Sequence, residues 1–109
     1  MNTPNKHDEL DEIKLQLAKF IIMNFSISTI REKGISNLNR WKSQDVWCSA
    51  HDEWRALLDT GSDEEIITAM TARDQHSNRL RQSPPYVGLL TQETVMKFYK
   101  LPFTGSDTF

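Results

Sequence analysis

Ser49-Ala-His-Asp-Glu-Trp-Arg-Ala-Leu-Leu-Asp-Thr-Gly-Ser-Asp-Glu-Glu-Ile-Ile-Thr-Ala-Met70 reads as two helices meeting at a corner. Ser49, Asp52 and Glu53 supply acceptors and negative charge where a helix has unpaired N–H groups, and Trp54, Leu57 and Leu58 recur at helical spacing before Gly61 stops the run. Ser62 and Glu65 then have the spacing of a capping box, in which each side chain bonds the other's backbone N–H, opening a second short helix with Ile66, Ile67 and Met70 on its apolar face. A chain that turns this tightly between helices, with no alternating stretch beside it, points to an all-α fold.

Towards the N-terminus, Leu10, Ile13, Leu17, Phe20, Ile21 and Phe25 recur at three- and four-residue steps. Asp8, Glu9, Asp11 and Glu12 sit in the first turn, where the helix dipole favours acids. These residues predict a long first helix ending before Gly34. Ile27, Thr29 and Ile30 are β-branched and would suit a strand, but no second strand is in view to pair with them. Gly34 is expected as a helix C-terminus, with Ser36 or Asn37 capping a short helix that carries Leu38 and Trp41.

Beyond Met70, Asp74 to Leu90 breaks the helical pattern, and Thr91 then caps a last helix bearing Val95, Met96, Phe98 and Tyr99, closed by Pro102. Residues 1–7 and 104–109 are expected to be loose tails. The expected fold is a single all-α domain over residues 1–109, with four to five mostly short helices and a long N-terminal one packed across them.

Composition narrows the function. The 109 residues carry a formal charge of −2, so the whole-molecule field does not attract polyanions. Cys48 is the single cysteine, which excludes an intrachain disulfide and suits a reducing, cytoplasmic setting. The apolar run Phe20-Ile-Ile-Met23 is too short to span a bilayer, and Met1 to Glu12 contains no apolar signal core. The four glycines are isolated, so no phosphate-cradling loop is present.

No catalytic arrangement emerges. Cys48 and His51 have a Cys-x-x-His spacing, but a structural zinc wants four ligands, with only His7 and His76 left to supply nitrogen, and a nucleophilic pair needs an orienting third group. Cys48 is better read as a small apolar residue beside Trp47. The adjacent Glu64 and Glu65 face different directions on a helix and make no acid/base pair. A DNA-reading helix-turn-helix across Gly61 would bring Asp63-Glu64-Glu65 against phosphate. The chain is therefore expected to be no enzyme and to hold no metal or cofactor.

What remains is charge that is segregated along the chain. Acids cluster at Asp8–Glu12 and Asp52–Glu65, and bases at Arg31–Lys42 and Arg73–Arg81. Either these blocks neutralise each other within one molecule, or they form a bipolar surface for a partner. Arg40 and Trp41, which combine charge with an aromatic plane, and Arg79, Arg81 and Tyr86, beside the rigid Ser83-Pro84-Pro85 segment, are the candidate partner-binding residues. The expected function is a small intracellular protein-binding module of the adaptor, inhibitor or antitoxin and immunity kind. A nucleic-acid-associated regulator using basic clusters around Arg40 and Arg79 is the alternative. The Leu10–Phe25 face allows either a monomer or a homodimer.

Overall fold

The computed structural model describes residues 6–99. Six helices account for most of them: α1 (Lys6–Asn24), α2 (Ile27–Ser43), α3 (Ser49–Thr60), α4 (Asp63–Thr71), α5 (Gln75–Arg81) and α6 (Gln92–Phe98). No strand occurs among the described residues. The all-α expectation therefore holds, with one or two helices more than expected. Lys6 and His7, expected in a loose N-terminal tail, open α1 instead, while residues 1–5 and 104–109, and the Pro102 stop, lie outside the described residues.

The first departure from expectation is at Ser26. One long helix was expected up to Gly34, but the chain breaks after Asn24 and restarts, because the Ser26 hydroxyl accepts from the Thr29 N–H at 3.0 Å and caps α2. The β-branched Ile27, Thr29 and Ile30 thus occupy a first helical turn, and Ile30 is fully buried there.

Gly34 does not end a helix either. It lies inside α2 because α3 presses on it: a Cβ at this position would sit 2.5 Å from Leu58 Cδ1. Ser36 and Asn37, expected to cap a new helix, continue the same one. Its actual end is at Gln44, where Asp45 adopts a left-handed φ of 59°. The Asp45 N–H donates to the Lys42 carbonyl and the Val46 N–H to the Trp41 carbonyl, a Schellman arrangement with Asp in glycine's usual place.

The α3–α4 corner forms as read. The Ser62 N–H donates to Glu65 Oε1 at 2.8 Å, the Glu65 N–H donates to Ser62 Oγ at 3.1 Å, and the Gly61 N–H closes α3 on the Leu57 carbonyl. Ile66 and Met70 are fully buried.

The second departure is α5, within the stretch expected to be irregular. Asp74 caps it, its carboxylate accepting from the Ser77 N–H at 2.6 Å, and that bond holds the Asp74 carboxyl below its ordinary pKa. α5 stops at Arg81, two residues short of Ser83, whose position before Pro84 disfavours helix.

The core forms where these helices converge. Trp54 and Leu58 of α3, Ile30 and Leu38 of α2, and Met70 of α4 are fully excluded from solvent. α1 lies against α4, α5 and α6, contributing Ala18 and Ile21 to the same cluster.

Gly34→Ala sets two terms against each other. Alanine is favoured over glycine by about 1 kcal/mol inside a helix, whereas overpacking a closed core costs about 1–3 kcal/mol. Leu58 is fully buried and cannot swing away, so urea denaturation is expected to show a net loss of about 1 kcal/mol. In a Leu58→Ala background the same change should become stabilising, since the obstructing methyl is gone.

Candidate functional site

The stretch after α5 is held by α2. Asn37, buried in that helix, donates through Nδ2 to the Pro85 carbonyl at 2.7 Å and to the Val87 carbonyl at 2.9 Å. Tyr86, between those two anchors, is 4% exposed and meets Trp54 edge-to-face with ring centroids 5.6 Å apart. The Trp54 indole N–H in turn donates to the Leu80 carbonyl of α5 at 2.8 Å. Gly88 follows with φ +94°, a left-handed geometry that glycine takes without strain, and this lets the chain turn towards α6.

Pinned in this way, the loop forms one wall of a cleft of about 280 Å³. α1 supplies a second wall with Lys14, Leu17 and Ile21, and α6 supplies a third with Val95, continued by Tyr99 at its C-cap. Arg81 and Tyr86 line it as well, with Pro84, Val87 and Leu90 towards the loop. α6 buries none of its residues fully and is braced on α1 by an edge-to-face contact between Phe98 and Phe20, 5.3 Å apart. The cleft is thus an apolar gap between a firm helix and a short, partly covered one.

Among the described residues its charged groups are both cationic. Lys14 Nζ donates to Gln82 Oε1 at 3.1 Å, a neutral acceptor. Arg81 is 1% exposed; its Nη1 donates to the Ala69 carbonyl at 3.1 Å and its Nη2 to Asn78 Oδ1, while Nε has no acceptor. Burial lowers the Arg81 pKa, but guanidinium starts so high that it stays charged. Burial also raises the Tyr86 phenol, which remains neutral at physiological pH. Among the described residues no carboxylate lines the cleft.

The five sequence candidates are therefore divided. Arg81 and Tyr86 meet at the cleft, as buried groups rather than as a displayed pair. Arg79, two positions from Arg81 on the same helix, points away and pairs with Glu53 at the surface. Arg40 and Trp41 lie in the last turn of α2, where Trp41 stacks on His51 at 5.1 Å and His51 meets Trp47 at 5.1 Å on another side. Lys42 caps this cluster, with Nζ 4.8 Å from the Trp47 ring centre. Sequence reasoning missed Leu17 and Val95 as site residues, since apolar positions at helical spacing carry no mark distinguishing a cleft from a core, and Lys14, since it lies outside the two basic clusters.

A larger depression of about 820 Å³ runs along Arg73, Gln75, His76 and Gln82. It is more open, and most of its polar groups are engaged: Arg73 holds Glu12 bidentately at 2.7 and 3.3 Å, Arg79, which also lines it, pairs with Glu53, and Gln82 donates to Asp11. We place the candidate site at the smaller, apolar cleft for that reason.

The Cys48–His51 pair is also accounted for. His51 Nδ1 accepts from the Cys48 backbone N–H at 3.2 Å, so the imidazole nitrogen nearest Cys48 serves as a helix cap. Among the described residues no three His, Cys, Asp or Glu side chains converge as metal ligands would.

Two outcomes follow from these contacts. Asn37→Ala leaves two carbonyls without their donor and should cost about 2 kcal/mol in chemical denaturation. Asn37→Asp should cost more, because an acceptor would then face both carbonyls. For His51, burial lowers the folded pKa below 6.5, so near that pH the unfolded chain binds more protons. Stability from this group is complete above pH 6.5 and declines as pH falls through that value towards the folded pKa. His51→Gln should flatten that part of a stability-against-pH curve measured with urea. No family model, curated protein or solved structure matches this chain.

Proposed function

We propose that this chain is a small intracellular, non-enzymatic protein-binding module, of the adaptor, inhibitor or antitoxin and immunity kind, that acts by occupying its partner, and that it holds the partner at the cleft between α1, α6 and the Pro84–Leu90 loop. The observation that carries the reading is the cleft itself, preformed at about 280 Å³ with mostly apolar walls. That size lies just below the range of small-molecule pockets, roughly 300–1,000 Å³, and suits one large side chain from a partner. Such single buried anchors dominate the energy of many protein interfaces. Exposed Val87 at the rim, 44% accessible, adds apolar area around the opening.

Internal ion pairing supports the same site. Arg31 binds Asp63 at 2.9 Å, Arg73 binds Glu12 and Arg79 binds Glu53. Those arginines are already engaged, which leaves shape and apolar contact as the larger resource for recognition.

The test is affinity capture of the tagged protein from native extract, at low and high salt and with nuclease, comparing the wild type with Val95→Trp and Arg79→Ala. Filling the cleft with an indole should weaken capture of a stoichiometric protein partner at least tenfold, about 1.4 kcal/mol. Arg79→Ala should retain it, and circular dichroism should confirm that both variants are folded. A partner held equally by Val95→Trp would remove the cleft from the interface. Nuclease-sensitive, salt-labile material would instead favour recognition of nucleic acid by Arg40, Trp41 and Lys42.

A further inference from the structure

We infer that the partner's anchor is an apolar side chain carried beside a carboxylate, so that the cleft recognises an acidic-apolar segment of a protein. The inference rests on the protein-binding reading above and adds the chemistry of the occupant. Leu17, Ile21 and Val95 provide an apolar lining from two sides, whereas the charged residues lining the space, among the described residues, are Lys14 and Arg81.

No described residue lining the cleft neutralises either cation. Lys14 has one donor engaged by the neutral Gln82 amide, leaving two N–H groups of its ammonium for an incoming acceptor. The carboxylates acting on Arg81, Asp74 and Asp11, are outside the lining and otherwise engaged: Asp74 caps α5 and Asp11 accepts from Gln82. The interior therefore has a positive potential in surroundings of reduced dielectric, where charge acts more strongly than at an open surface. An apolar body entering with an anion satisfies both features together. A cationic segment would bring a third positive charge against two that lack local partners, and a neutral one would leave the field unused.

The chemistry can be read with a matched pair of probes, 4-phenylbutyrate and 4-phenylbutyramide, which differ only in charge at one end. Each is titrated into the ¹⁵N-labelled full chain, following backbone amides by NMR. The acid is expected to shift amides of Leu17, Val87, Gly88 and Val95 and to bind at least tenfold more tightly than the amide. Lys14→Gln should shrink that preference severalfold by weakening the acid more than the amide, a pattern that loss of structure, which would weaken both alike, would not give. Val95→Trp should abolish binding of both.

Equal binding of acid and amide at the cleft would overturn the charge inference and leave the apolar anchor standing. Failure of both probes to shift cleft residues would overturn the inference and the cleft-based function together. Acid binding that maps away from the cleft, or an acid preference intact in Lys14→Gln, would also overturn it.

Discussion

The Trp54 indole is the joint on which the rest of the molecule depends. It is fully buried, donates to the Leu80 carbonyl of α5 and meets Tyr86 edge-to-face. One side chain thereby ties α3 to a seven-residue helix and to an irregular loop, neither of which could hold its shape alone. A helix as short as α5 is marginal in water, because nucleation costs more than a few hydrogen bonds return. Its stability must come from beyond its own backbone ladder: from the Asp74 cap at its start and from the tertiary contacts that Trp54 and buried Arg81 make. Asn37 completes the arrangement from α2, fixing the Pro85 carbonyl, which would otherwise be buried without a donor, and the part-buried carbonyl of Val87.

The cleft follows from how unevenly this support is distributed. On one side α1 is anchored against α4 and α5, and on another the loop is fixed by Asn37 and Trp54. α6 is braced mainly through Phe98 on Phe20 and has no fully buried residue. Close packing would ordinarily eliminate a gap of this size in a core. It persists because the three walls are set by separate constraints, none of which draws α6 inward.

The sequence was legible where a local signal and the tertiary structure agreed. Ser62 and Glu65 named their helix start, and Ile66 and Met70 their buried face, because capping and periodicity are properties of neighbouring residues. Gly34 misled, since a glycine that ends a helix and one that admits a neighbouring helix look alike until Leu58 is in place. Ser26 was overlooked because continuing apolar spacing outweighed a single hydroxyl, although that hydroxyl divides α1 from α2. α5 was hidden by its composition: Gln75, His76, Ser77 and Asn78 make a weak helix, and its stabilising partners come from α3 and α4. For the site, Arg81 and Tyr86 were legible as unusual residues, but their burial was not, because an arginine two residues before Ser83-Pro84 gives no sign that Ala69 and Asn78 will receive its guanidinium.

Charge shows most clearly how folding changes the meaning of a sequence. Along the chain, acids and bases form separate blocks that suggest a bipolar surface. In three dimensions Arg31 reaches Asp63, Arg73 reaches Glu12 and Arg79 reaches Glu53, so much of the pattern is spent within the molecule. Exposed pairs of this kind contribute little stability individually. Their larger consequence concerns recognition, because a charge already satisfied by a neighbour offers less to an incoming partner. Lys14 and Arg81 differ in that respect: each bonds neutral acceptors, and both line the same apolar space. Two of the cations that ion pairing leaves over thus lie where an apolar group can enter, and this coincidence of shape and residual charge gives the cleft a chemical preference that the linear charge pattern did not reveal.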